Sequence, residues 1–141
     1  MLNNIPHSFS PELLSLMMSM GHGECLLISD GNYPALTNGD KSTPRIFLPA
    51  GDIALLLSEV LHFFPLDETD PAPVAVMEAA KESGAHAQYT VVLSKLGINA
   101  QIKILERFDF YKEASNAAGI VITSSTVKGG NVLIKKGVVK D

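Results

Sequence analysis

Two segments of this 141-residue chain carry residue types suited to proton transfer and to holding a polar ligand: the turn Gly21-His22-Gly23 and the residue Asp30. An imidazole titrates at about pH 6.5, so it can give and take protons near neutrality. Flanking glycines allow positive φ and leave the ring without bulky neighbours. A histidine that merely sits in a helix-ending turn gives the same pattern. Asp30 closes the apolar run Cys25 to Ser29, and ligands of open α/β sheets bind beyond the carboxyl ends of strands. An aspartate that only organises the Asp30-Gly31 turn also fits. Eight residues at about 3.3 Å each separate the two by roughly 26 Å in an extended chain. They share a pocket only if the turn folds back, the strand is short, or different subunits supply them.

Arg107 stands at a strand-to-helix junction in Leu105-Glu106-Arg107-Phe108-Asp109. A guanidinium there can donate several hydrogen bonds to sugar hydroxyls or an anion, or it can pair with Glu106 or Asp109. Gly129-Gly130-Asn131 offers backbone N–H groups and a side-chain amide to a polyhydroxyl ligand, or it is a plain hairpin. His22 and Glu24 alone are weak metal ligands, and HExxH and multi-histidine sets are absent, so no metal is expected. His62 falls in a helical pattern and His86 near a loop, and both read as structural or solvated. The chain has no GxSxG, no P-loop and no GxGxxG between a strand and a helix, and no cofactor is expected.

These groups need a scaffold, and the periodicity supplies one. Ser10-Pro11-Glu12 opens a helix as a capping serine, an N1 proline and an acid at the positive end of the dipole. Leu13, Leu14, Met17 and Met18, with Met20 as a further candidate, form its apolar stripe, and Gly21 stops it. Cys25 to Ser29 reads as a strand covered on both faces, ended by the turn Asp30-Gly31-Asn32-Tyr33-Pro34. Residues 35 to 44 form a polar loop. Strands are expected at 45–48, 74–78, 101–105, 120–123 and 131–135, and helices at 52–64, 86–96 and 108–118. Residues 65 to 73 make a proline- and acid-rich connection. Strands alternating with helices predict a three-layer α/β/α fold with a mostly parallel mixed sheet. The last two strands lack a helix between them and are expected to pair antiparallel around Lys128-Gly129-Gly130.

Composition bounds the rest. The length fits one domain, residues 1–141. A net charge of −4 without a basic cluster beyond Lys135-Lys136 argues against a nucleic-acid partner. No basic-then-apolar leader opens the chain, and no apolar run approaches about 18 residues, so neither export nor a membrane span is expected. A single cysteine, Cys25, allows no internal disulfide; it reads as a buried, inert thiol in a cytoplasmic protein. An apolar fraction of 46% suggests that part of the surface is covered by other subunits.

In order along the chain, Leu2-Asn3-Asn4-Ile5-Pro6, Ser10-Pro11-Glu12-Leu13-Leu14, Met20-Gly21-His22-Gly23-Glu24, Asp30-Gly31-Asn32-Tyr33-Pro34-Ala35, Phe64-Pro65-Leu66-Asp67, Glu106-Arg107-Phe108-Asp109-Phe110-Tyr111, Gly119-Ile120-Val121-Ile122-Thr123 and Gly130-Asn131-Val132-Leu133-Ile134-Lys135-Lys136-Gly137-Val138 resemble the fucose mutarotase / ribose pyranase family, the fucose branch most closely. The resemblance implies a non-oxidative isomerase that interconverts α and β anomers of L-fucose or a related monosaccharide. It implies His22 as the proton carrier, with Asp30, Arg107, Gly129, Gly130 and Asn131 binding the sugar. It also implies a homo-oligomer, commonly a ring-shaped decamer, with sites near subunit contacts. One departure stands out: where the family typically has Tyr-Gly-Asn, this chain has Gly129-Gly130-Asn131. Tyr33 is a candidate for a substitute hydroxyl, and a non-catalytic or weakly catalytic monosaccharide-binding relative is the alternative reading.

Overall fold

A computed structural model describes residues 1–141. Ser10 caps the first helix, α1 (Pro11–Ser19), its hydroxyl oxygen accepting from the Leu13 N–H at 3.1 Å. β1 (Cys25–Ser29) follows, then β2 (Arg45–Phe47) and α2 (Ile53–Leu61). Asp52 caps α2 by accepting from the Leu55 N–H at 3.0 Å. The remaining elements are β3 (Val74–Met77), α3 (Ala79–Glu82), α4 (Ala85–Lys95), β4 (Ile102–Leu105), α5 (Arg107–Ala114), β5 (Gly119–Ile122) and β6 (Val132–Lys135). Element boundaries lie within a few residues of those expected, except that α2 and α5 stop three and four residues early. The four-residue α3 is too short to carry a periodic signal.

The six strands form one sheet in the order β2-β5-β1-β6-β3-β4. β1 with β5, β2 with β5, and β3 with β4 run parallel, and β6 runs antiparallel to β1 and β3. The sheet is therefore mixed and mostly parallel, as expected, but the pairing of its last strand differs. β6 does not return beside β5, and residues 128–130 do not close a hairpin. Instead β6 inserts between β1 and β3, where Leu133 and Ile134 find apolar neighbours on both faces and both edges. An edge position beside β5 would leave that apolar strand half unpaired.

Alternation along the strands splits the core into two layers. Leu26, Ile28, Val74, Val76, Val121, Val132 and Ile134 pack under α1, α2 and α4. Leu27, Ala75, Met77, Ile120 and Leu133 pack on the other face against Phe110 and Ala114 of α5. Helices thus cover both faces of the sheet, in three layers. Cys25 lies at the start of β1, and burial pushes its thiol pKa up, away from reactive thiolate.

Candidate functional site

The expected site residues fall into two groups at opposite ends of the sheet. Asp30 follows β1, and Asn131 precedes the antiparallel β6, so both stand at the carboxyl end of the parallel strands. The Asp30 N–H donates to Asn131 Oδ1 at 2.8 Å. Asp30 Oδ1 accepts from the Asn32 N–H at 2.9 Å, and Oδ2 accepts from the Gly130 N–H at 3.2 Å. Both side chains are buried, with Asp30 and Asn131 each 3% exposed. The Tyr89 hydroxyl donates to the Gly130 carbonyl from beneath, and burial raises its pKa.

Gly129 enters this cluster with φ +65, the left-handed region that side chains disfavour. A Cβ there would also lie 2.6 Å from the Ala79 Cβ at the start of α3. The missing aromatic ring thus has neither the backbone conformation nor the space it would require.

Arg107 is the first residue of α5, at the same end of the sheet. Glu106 caps that helix by accepting from the Phe108 and Asp109 N–H groups, and Arg107 pairs with neither acid. Its guanidinium carbon instead lies 5.4 Å from the Phe108 ring centroid and 5.5 Å from that of Tyr111. Its Nε donates to the Tyr111 hydroxyl at 3.3 Å. This arrangement leaves the guanidinium in solvent with its stem supported by two rings. Tyr111 carries no site signal of its own in the sequence, because an aromatic residue in a helix reads as core. Tyr33 packs edge-on against Tyr111 at 5.4 Å and is 7% exposed. Its hydroxyl accepts from the Asn38 amide, and burial pushes its pKa up to about 12. That hydroxyl belongs to the second core layer rather than to the surface around Asp30.

His22 lies beyond the other end of β1. Gly23 has φ +85, and its N–H donates to the Lys136 carbonyl at 2.8 Å, which pins the turn to the end of β6. The imidazole, half exposed, has Nε2 3.1 Å from Asp67 Oδ1. The same oxygen accepts from the Thr69 hydroxyl at 2.7 Å and the Thr69 N–H at 3.0 Å. The Thr69 hydroxyl, foremost, and His22 hold the Asp67 carboxyl down at about pKa 2. Asp67 is therefore ionised at neutral pH and can only accept. His22 Nε2 must then carry the donated proton, which leaves Nδ1 of the neutral ring with a free lone pair. Asp67 was outside the expected set because 45 residues separate it from His22. In the sequence it falls in the proline- and acid-rich connection and in the block Phe64-Pro65-Leu66-Asp67, neither of which marks it as a partner of His22. His22 and Asp67 line a cleft of about 780 Å³ with Phe64, Thr69, Asp70 and Ile98.

The turn at 21–23 does not fold back towards Asp30 within one chain. Carboxylate, amide, guanidinium and backbone donors gather at one end, suited to the alternating donors and acceptors of a polyhydroxyl ligand. An oriented acid/base pair stands at the other.

Comparison with known proteins gives a consistent picture. The model of the RbsD / FucU transport protein family matches residues 3–139. An L-fucose mutarotase from Actinobacillus pleuropneumoniae is 35% identical over 143 residues, covering 98% of this chain and 97% of that protein. Human fucose mutarotase is 35% identical over 144 residues, covering 97% and 94%. Among solved structures, the fucose mutarotase from Streptococcus pneumoniae in complex with L-fucose superposes with a TM-score of 0.88 at 30% identity, covering 99% of this chain and 100% of that one. The RbsD of Bacillus subtilis complexed with D-ribose shares the fold, with a TM-score of 0.77 at 15% identity over 96% of this chain and 98% of that one.

Proposed function

This chain belongs to the RbsD / FucU transport protein family, and from that premise we propose that it is a sugar mutarotase acting on L-fucose or a closely related monosaccharide. The full-length relatives named fucose mutarotase support the reaction class. The observation that carries the mechanism is the His22–Asp67 pair, a half-exposed imidazole oriented by an ionised carboxylate.

Mutarotation opens and recloses a hemiacetal. His22 Nδ1 takes the proton from the anomeric hydroxyl while the bond between the anomeric carbon and the ring oxygen breaks. The imidazolium, stabilised by Asp67, delivers the proton to the departing ring oxygen. The open aldehyde turns about its bond to C2, and the steps run backwards on its other face. No net proton is gained or lost, and no redox partner enters. A near-neutral acid/base with a few hydrogen bonds to the sugar suffices, because the uncatalysed reaction is already fairly fast.

Asp30, Arg107, Gly130 and Asn131 hold the sugar in this reading, with Gly129 leaving one wall as bare backbone. Since they lie at the opposite end of β1 from His22, a complete site takes its histidine from one copy and its sugar-binding groups from the next. Such a head-to-tail contact joins two different surfaces and closes only as a ring. A ring-shaped homo-oligomer, a decamer as the resemblance implies, working in the cytoplasm completes the proposal.

Saturation-transfer NMR of anomer exchange tests it, with L-fucose, D-ribose and D-galactose as sugars and His22→Ala as control. Exchange well above buffer for at least one sugar, lost in the variant, is expected. No acceleration for any sugar overturns it. Thermal stabilisation by sugar without exchange selects the non-catalytic binding reading, which the bare Gly129 favours.

A further inference from the structure

The carboxyl end of the sheet holds a row of residues that pairing sets side by side. Ile28 pairs with Val132, Val76 with Val132, and Met77 with Leu105. Asp30, Gly130, Glu78 and Glu106 lie just beyond these pairs, at the same end of the sheet. The Glu78 N–H donates to the Leu105 carbonyl at 2.9 Å, which fixes Glu78 beside that end of β4. Glu78 therefore stands between the Gly130-Asn131 segment and the start of α5, where Arg107 projects.

Three carboxylates share this row, and two are committed. Asp30 uses both oxygens on the Asn32 and Gly130 N–H groups, and Glu106 caps α5. Glu78 alone is exposed with both oxygens unengaged, because the ion pairs of the fold involve other residues. The next residue, Ala79, fills the space a side chain at 129 would need. Glu78 thus adjoins, through Ala79, the wall that lacks a side chain at 129.

We propose that Glu78 is a specificity-determining residue of the sugar site, its carboxylate accepting a hydrogen bond from a sugar hydroxyl on the side where position 129 presents only backbone. This rests on the mutarotase reading above. A sugar hydroxyl both donates and accepts. Arg107 can only donate, so a free acceptor across from it fixes which way the hydroxyls of this side point. The same negative charge disfavours sugars that carry their own carboxylate, such as uronic acids. The favoured class is neutral monosaccharides.

Anomer exchange measured on the wild type, Glu78→Ala and Glu78→Gln tests this. An exposed charge-assisted hydrogen bond predicts that Glu78→Ala raises KM for the best neutral sugar by about tenfold, with kcat within about twofold. Glu78→Gln should narrow the preference for D-galactose over D-galacturonate by about fivefold or more, while Tm stays within roughly 2 °C of wild type. An unchanged KM in Glu78→Ala, or unchanged discrimination in Glu78→Gln, overturns the assignment while leaving the mutarotase reading intact. A wild type that exchanges no sugar overturns both.

Discussion

His22 and Asp30 stand beyond opposite ends of one strand, with the five residues of β1 between them, so in a single chain the imidazole and the buried carboxylate are held apart. At about 3.3 Å per residue the strand alone spans roughly 16 Å. A site that needs both groups is built between copies, and mixing variants reveals it. His22→Ala and Asp30→Ala should each be nearly inactive alone. Co-expressed at equal amounts in a head-to-tail ring, about one contact in four joins an intact His22 to an intact Asp30. Anomer exchange in the mixture should recover to about a quarter of wild type. No recovery would show that both groups act from one chain.

The hydrogen bond from His22 to Asp67 sets a second expectation. Loss of the imidazole removes the acid/base and should lower kcat by about 100-fold. Asp67→Asn keeps the shape but removes the charge that steadies the imidazolium, a loss of about tenfold in kcat with little change in KM. A rate unchanged in Asp67→Asn would mean that Asp67 serves only the loop it shares with Thr69.

Stability should report the same carboxylate. Asp67 has a folded pKa of about 2, below the ordinary value of about 3.9. Between those values the unfolded chain binds more protons than the folded one, so stability rises with pH across that window. The contribution is complete above pH about 4 and is lost as pH falls towards 2. Tm measured from pH 5 down to pH 2 should fall more steeply in wild type than in Asp67→Asn. Parallel curves would remove Asp67 from the acid response.

Position 129 supplies a fourth test. An alanine there meets a left-handed backbone and the Ala79 Cβ together, and each costs about 1–3 kcal/mol. Gly129→Ala should lower Tm by roughly 10 °C. Adding Ala79→Gly relieves the collision but not the backbone, so the double variant should recover only part of that loss. Full recovery would show that φ at 129 relaxes freely.

Local signals read well from the sequence. Ser10-Pro11-Glu12 announced α1, and the run from Cys25 to Ser29 announced a strand buried on both faces, because caps and apolar runs are written in neighbouring residues. What stayed hidden depends on partners far along the chain. The place of β6 between β1 and β3 has no local mark, since a strand buried on both faces reads the same whichever strands flank it. Asp67 acquires its meaning from His22, which no spacing rule connects to it. The distance estimate between His22 and Asp30 did anticipate their separation, because strand rise per residue varies little. Arg107 and Asn131 are legible as polar groups at element ends, whereas the unengaged state of Glu78 depends on the hydrogen bonds its neighbours make in the folded chain.

The last strand has a further consequence, for the order of assembly. In the sheet, β2, β5 and β1 form one ribbon and β3 with β4 another, and β6 alone stitches them together. Its pairing with β1 closes a loop of more than a hundred residues, the kind of distant contact that slows folding. Without residues 132–135 the two ribbons have no strand between them, and β1 and β3 each keep a bare edge. The polar cluster at Asp30 forms in the same step, since Gly130 and Asn131 arrive with that strand. That cluster is thus a property of the finished chain alone, and a truncated one exposes strand edges without assembling it.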